Sequence, residues 1–452
     1  MLGLETDAPP PPEVAVADTQ EERDHAKLVA AFGGEVDAPN AHRLVSDIAD
    51  RLVKASDRPD ERYRVTILNS PVVNAFALPN GRLYVTRGLL ALANDTAEIA
   101  AVLSHEIAHV ALRHAVARSE EQAKSALLTQ VTETVLKNPV EAAIVRDRSR
   151  ISLASFSRSQ ELEADQAGVK VLARAGYDPF GAPRFLKSLD RSGGGSDQNR
   201  PALTDMLASH PTTSERIAKA LQAARRASAP GIGETERGRY LTAIEGLAYG
   251  DDPRDGIIRG RRFAHGRLGV AFQAPEGFSL ENTSEAVLGS SANGSRRLLF
   301  DAAEAPAEQD LEDVLRTTWS DTIDEGSLET ATVNGLSVAT GRSTGQEWVF
   351  RLAAIRIGKT VFRLILATKV GSDDPESLFQ KTLSSVRHIT PAEAREIRPL
   401  RLHVVTARAG DTAETLASRM VVNENPLDQF LMLNGLEEAA VRPGERYKIV
   451  VE

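Results

Sequence analysis

Apolar positions along this chain follow three successive rhythms, and each predicts a different architecture. In the first, helical spacing dominates. Leu44, Ile48 and Leu52 stay in register along Ala41 to Lys54, and Glu21 to Phe32 reads as another amphipathic helix. Tyr63 to Leu68, Val72 to Leu78 and Arg82 to Thr86 are short strand-like runs, with Pro79-Asn80-Gly81 as the turn between the last two. Asp95-Thr96-Ala97-Glu98 then spells a capping box, and Ile99, Val102, Leu103, Ile107 and Val110 continue at helical spacing. Further helices are expected over Ser119 to Lys137, broken at Asn138-Pro139, and over Ser159 to Ala175, ended by Gly176 and Pro179. Thr212 to Ala227 is another, and the Gly- and Ser-rich run Arg191 to Arg200 reads as a mobile loop.

The second rhythm begins after Pro230, Gly231 and Gly233, which break the preceding helix. From about Tyr240 to Ile389 strands alternate with two helices, Leu311 to Trp319 and Glu376 to Val386. Asn334-Gly335 between Thr330 to Val333 and Leu336 to Thr340 signals a hairpin. Gly358-Lys359 joins Trp348 to Ile357 with Thr360 to Thr368 in a second hairpin. The third rhythm occupies the last fifty residues. A strand at His403-Val404-Val405, helices over Thr412 to Met420 and Pro426 to Leu433, and a strand over Tyr447 to Val451 make a β-α-α-β unit, expected to stand as a separate module.

Composition narrows the possibilities. At 452 residues the chain is too long for one ordinary core. A net charge of −9 argues against nucleic acid or an anionic membrane as the main partner, and no apolar stretch is long enough to span a bilayer. Cys is absent, which rules out a disulfide framework or thiolate metal site. Met1 to Pro12 has neither a basic nor an apolar leader region, while Ala8-Pro9-Pro10-Pro11-Pro12-Glu13 is a stiff spacer. Such a spacer suits a mature chain whose leader has been removed, hanging from a cut site or a lipid anchor, and by composition suits a disordered cytosolic tail equally well.

Chemistry concentrates at His105-Glu106-Ile107-Ala108-His109. Two histidines four apart lie about 40° apart around a helix and about 6 Å along it, so both imidazoles reach one ion. Glu106 lies beside them as a general base. Fifty-odd residues on, Glu161-Leu162-Glu163-Ala164-Asp165 supplies a carboxylate for a third ligand. Glu161 is expected to bind the metal, and Asp165, one turn later on the same face, to fix a ligand tautomer. Glu163 faces away and is the weaker candidate. His114 falls on the opposite helix face and is not expected to be a ligand. His210 is expected either to donate to the developing oxyanion or to occupy the open metal position. The Arg82 to Thr86 strand, with Arg82 and Tyr84, is expected to offer a free edge to an extended peptide. Isolated His265 and His388 are left unassigned.

Asn74-Ala75-Phe76-Ala77-Leu78-Pro79-Asn80-Gly81, Val85 to Leu89, the His105 motif, Ser157-Arg158, Glu161 to Asp165, and Ser209-His210-Pro211 with Arg216-Ile217 together resemble the HtpX/BepA/LoiP-like gluzincin metallopeptidases. These are relatives of the type I CAAX prenyl proteases. The resemblance covers about residues 35 to 225 and implies one Zn2+ per chain, held by His105, His109 and Glu161. It further implies that the strand before the zinc helix holds polypeptide substrate, that Asn74 contacts substrate backbone and that Arg216 stabilises the site. The chain lacks the transmembrane helices and tetratricopeptide repeats of some relatives. Gly410-Asp411-Thr412, Asn434-Gly435-Leu436 and Arg442-Pro443-Gly444 resemble a LysM domain, which implies binding of peptidoglycan. The middle part resembles the PsbP/Mog-type fold.

The expected organisation is thus α+β and multidomain. A Pro-rich spacer (1–20) leads into a mainly helical zincin-type metallopeptidase domain with a small sheet (21–229). An α+β domain (240–392) and a LysM-like module (400–452) follow. The expected function is a zinc endopeptidase of the bacterial periplasm or cell envelope acting on misfolded or extended proteins. The alternatives are a chaperone-like protein latched by His210 and a peptidoglycan peptidase.

Overall fold

The computed structural model describes residues 19–114, 156–192, 206, 210–211, 213–283, 286–303, 305–306, 308–319, 323–372, 374–422 and 425–452. The helix expected over Ser119 to Lys137, the N-terminal spacer to residue 18 and the loop beyond Ser192 lie outside them.

Two helices, α1 (Gln20–Ala31) and α2 (Pro39–Ala55), precede a small sheet. Leu44, Val45, Ile48, Leu52 and Val53 form the buried stripe of α2, as their spacing dictates. The sheet comprises β1 (Arg64–Leu68), β2 (Ala75–Leu78) and β3 (Arg82–Thr86) in the order β1-β3-β2. Here one expectation is corrected. β3 pairs parallel with β1 and antiparallel with β2, so both of its edges are taken and it cannot accept a peptide strand. The edge beside the motif helix belongs to β2.

Thr86 caps α3 (Arg87–Leu92), which is buried throughout, and Asp95 caps the motif helix α4 (Thr96–Ala111) by accepting from Glu98 N–H. The Glu98 carboxylate turns to Asn94 N–H at 2.9 Å, one residue short of the capping-box partner. A full capping box, Ser157 with Gln160, starts α5 (Arg158–Arg174). Then come α6 (Gly181–Ser192), α7 (Ser214–Ala227) and α8 (Arg237–Ala243). α4 crosses α5 closely because Gly168 has no side chain: a Cβ there would meet His105 N at 3.1 Å and Ser104 Oγ at 3.2 Å. Gly181 likewise lets the start of α6 approach Ala97 O, 2.5 Å from where a Cβ would stand.

Beyond β4 (Ala248–Tyr249) lies an antiparallel region of β5 (Ile257–Arg259), β6 (Arg262–His265), β7 (Val270–Gln273), β8 (Phe278–Asn282), β9 (Ala286–Ser291) and β10 (Arg296–Ala303). It continues through α9 (Leu311–Thr318), β11 (Glu329–Val333), β12 (Leu336–Thr344), β13 (Trp348–Ile357), β14 (Thr360–Lys369), α10 (Pro375–Ser385), β15 (Arg387–His388) and α11 (Pro391–Glu396). One sheet runs β11-β12-β13-β14-β10-β9-β8 and a smaller one β15-β7-β6-β5. Phe300, Phe362 and Leu364 pack with Phe379 and Leu383 of α10, while Leu352, Ala354 and Val361 pack with Leu311, Val314 and Leu315 of α9. Asn334 (φ 49°) and Gly335 (φ 77°) make the expected hairpin turn, both in the left-handed region.

The last elements are β16 (Leu400–Thr406), α12 (Ala413–Ala417), α13 (Pro426–Leu433) and β17 (Arg446–Val451). They do not stand apart as expected. β16 takes β4 as a third strand, and Phe430, Leu433, Tyr447 and Val450 belong to the same apolar core as α2, α3 and α4. A buried ammonium anchors them. Lys448 Nζ donates to Ala91 O at 2.7 Å and Ala93 O at 2.6 Å, with Leu92 O at 3.4 Å. These carbonyls lie at the end of α3, where helical partners run out.

Candidate metal centre

α4 presents His105 and His109 one turn apart, with Glu106 next to His105, all buried. α5 crosses it so that Glu161 and Asp165, also one turn apart, face the histidines. His105 Nε2 and His109 Nε2 stand 3.0 Å apart, and Glu161 lies 3.6 Å from the first and 3.4 Å from the second. His210 closes the group, with Nδ1 2.8 Å from Glu161 Oε1 and 3.3 Å from His105 Nε2. Ligand atoms of His105, His109, Glu161 and His210 all lie within 4.8 Å of one another.

The surrounding groups hold these side chains in place. His105 Nδ1 is 2.9 Å from Asp165 Oδ1. Arg216 clamps the Asp165 carboxylate with two bonds of 2.9 Å, reaches Glu161 Oε2 at 2.6 Å, and donates to the carbonyls of His210 and Pro211. A planar guanidinium is suited to this, since its donors fan out in a fixed fork. Burial works against charge on Asp165, but the contacts with His105 and then Arg216 hold it at about 2. Burial opposes ionisation of Glu161 too, yet bonds from His109 and His210 keep it below the usual carboxylate range. Burial, with His105 and His210 adding to it against Glu161, pushes His109 down to about 3. The ring is therefore neutral at pH 7, the form that binds a metal. Burial raises Glu106, with His210 and His105 opposing, which brings a carboxylate towards the range of a useful base.

Does this donor set suit a divalent cation? Two imidazole Nε2 atoms stand 3.0 Å apart beside a carboxylate, so without an ion one must donate to the other, whereas a cation can take a lone pair from each. Glu106 Oε1 and His210 Nε2 are buried without a hydrogen bond. The residues fit a metal, and their nitrogen and oxygen donors are those zinc takes.

The other expected site residues are distributed unevenly. Asn74 is buried just before β2, its N–H bonded to Thr86 Oγ1 and its Oδ1 unpaired. Arg82 pairs with Glu21 at 3.2 Å. Tyr84 is fully buried against Phe32, Leu68 and Phe76, its hydroxyl 2.8 Å from His25 Nδ1, so its side chain does not face the histidines and offers no surface to a substrate. Glu163 lies outside the cluster, with its side chain 65% exposed. His114 departs from the expected opposite face. α4 stops at Ala111, Arg113 takes φ 57°, and the turn brings His114 Nδ1 to 3.0 Å from His109 Nδ1. Phe156 stacks on the His109 ring with centroids 4.0 Å apart. Neither contact was anticipated from the sequence, because nothing in the pattern marks where the helix ends.

Residues 39–224 match the family described as Peptidase family M48. The mitochondrial metalloendopeptidase OMA1 of Arabidopsis thaliana is 37% identical over 155 residues, 34% of this chain and 30% of that protein. The beta-barrel assembly-enhancing protease of Escherichia coli (strain K12) is 30% identical over 195 residues, 41% of this chain and 39% of that protein. The chain thus spans well under two thirds of the length of either relative. A cyanobacterial PsbP from Synechocystis sp. PCC 6803 shares 15% identity over 31% of this chain and 98% of its own, at a TM-score of 0.24, too low to argue from.

Proposed function

Because residues 39–224 belong to peptidase family M48, we propose that the chain is a zinc-dependent endopeptidase of the bacterial cell envelope, cleaving extended or misfolded polypeptides. The observation that carries the reading is the buried convergence of His105, His109, Glu161 and His210 beside Glu106. His105, His109 and Glu161 are assigned as zinc ligands. Bound zinc supplies Lewis acidity, lowering the pKa of a water to about 7 and polarising a carbonyl. Glu106 takes a proton from the attacking water as its oxygen bonds to the carbonyl carbon. It passes that proton to the amine nitrogen as the C–N bond breaks. Asp165 and Arg216 hold the ligands in position. An extended substrate is assigned to the edge of β2, which packs on α4, with Asn74 at its start. The envelope location rests on likeness to relatives. No helix among the described residues is long and apolar enough to cross a membrane. Glycan binding by residues 400–452 is carried as part of the proposal and is tested by co-sedimentation with peptidoglycan.

The experiment is casein hydrolysis by the full chain alongside metal analysis. Activity should vanish on chelation, return with zinc and be lost in Glu106→Gln while zinc is retained. Undiminished hydrolysis in that variant would remove the assignment. A second reading is favoured by His210, whose Nδ1 lies among the ligand atoms and 2.8 Å from Glu161. In it, His210 latches the centre in a resting state, and activity should rise in His210→Ala. If His210 instead serves the oxyanion, activity should fall.

A further inference from the structure

The two ligand histidines are oriented differently. His105 has a carboxylate directly behind it, since its Nδ1 lies 2.9 Å from Asp165. His109 has a histidine. His114 Nδ1 is 3.0 Å from His109 Nδ1, and His114 Nε2 is 3.4 Å from Glu163 Oε2. Two facing ring nitrogens at this distance attract only if one carries a proton and the other a lone pair. For His109 to direct a lone pair from Nε2 to a cation, its proton must sit on Nδ1. His114 Nδ1 must then accept it and carry its own proton on Nε2, facing the Glu163 carboxylate. Each requirement leads to the next, and the chain of contacts ends at an acid on the surface.

The backbone is shaped to make this contact. Arg113 sits at φ 57°, a left-handed conformation that a residue with a side chain rarely adopts. It turns His114 back under the helix that carries His109. The Gln160 side chain donates to His114 O at 3.4 Å, tying the turn to the start of α5, which also carries Glu163.

We infer that His114 is a positioning residue which, held by Glu163, fixes the tautomer and ring direction of His109. This rests on the zinc-ligand reading above. It gives Glu163 a role distinct from binding the ion. The two arms also differ in exposure: Asp165 is buried, whereas the Glu163 side chain is 65% exposed, so the His109 arm ends at the surface.

The test measures zinc affinity of the full chain by chelator competition, and the visible spectrum of the cobalt-substituted protein. His114→Phe keeps bulk but removes the acceptor, and should weaken zinc binding about 10- to 100-fold with an altered cobalt spectrum. His114→Gln restores a side-chain acceptor and should recover most of the affinity. Glu163→Lys is a surface change compatible with folding. It favours the opposite His114 tautomer and should weaken binding by about tenfold. Wild-type affinity and spectrum in both His114→Phe and Glu163→Lys would overturn the inference while leaving the metallopeptidase reading intact. A wild-type chain that binds no zinc would overturn both.

Discussion

The two ends of α4 both bury charge, but they dispose of it in opposite ways. At the N-terminal end, Glu98 and Lys448 are almost completely buried. Glu98 accepts from Asn94 N–H and has Arg184 Nε at 3.5 Å, while Lys448 Nζ is surrounded by carbonyls. Arg184 also reaches Asp95 and Asp178. At the C-terminal end, Glu106 Oε1 and His210 Nε2 have no hydrogen-bond partner. Shifted acids do not distinguish the two. Burial and Asp95 push Glu98 up, as burial pushes Glu106. What separates them is satisfaction: an unpaired buried polar atom costs roughly 1–3 kcal/mol, and such atoms cluster where something is meant to bind.

Four measurements sharpen or break this contrast. The largest effect belongs to Glu106→Gln, which should lower hydrolysis by about 10²- to 10⁴-fold without loss of folding stability. A drop in stability to match would make Glu106 structural after all. Next, Lys448→Met should cost about 3 kcal/mol in denaturant unfolding, since it strands the carbonyls at the end of α3, and should leave zinc affinity unchanged. A parallel fall in affinity would mean that the two ends are one unit. Third is acid stability of the zinc-free chain. Asp165 is held at about 2 in the folded state against about 3.9 unfolded, so its contribution is complete above pH 4. Roughly 2 kcal/mol should be lost as pH falls from about 4 to 2. Asp165→Asn should remove the Asp165 share of that limb and leave the share carried by Glu161. Smallest, Glu98→Gln should cost about 1–2 kcal/mol with activity kept, the reverse of its counterpart two turns later.

What could be read from the sequence was what is local. His105 and His109 share a helix face by spacing alone, and Glu161 and Asp165 do the same on α5. β3 was misjudged as an edge because its parallel partner β1 lies across β2 in sequence, and nothing in an alternating run states what pairs with it. α6 went unread because Gly181 and Pro183 look like breakers, although Phe185, Leu186 and Leu189 form its buried stripe. His114 was misplaced by extending a helix that Arg113 ends. Lys448 was invisible for a plainer reason: a lysine in a strand gives no sign that its acceptors lie 357 residues away.

That last separation affects how the molecule comes into being. On a ribosome adding about 5–20 residues each second, α3 and α4 emerge well before β17. Through that interval the carbonyls at the end of α3 wait on water, and the apolar surface that Phe430 and Tyr447 later cover is bare. The half of the molecule that carries the histidines is thus left unfinished until its far strand arrives.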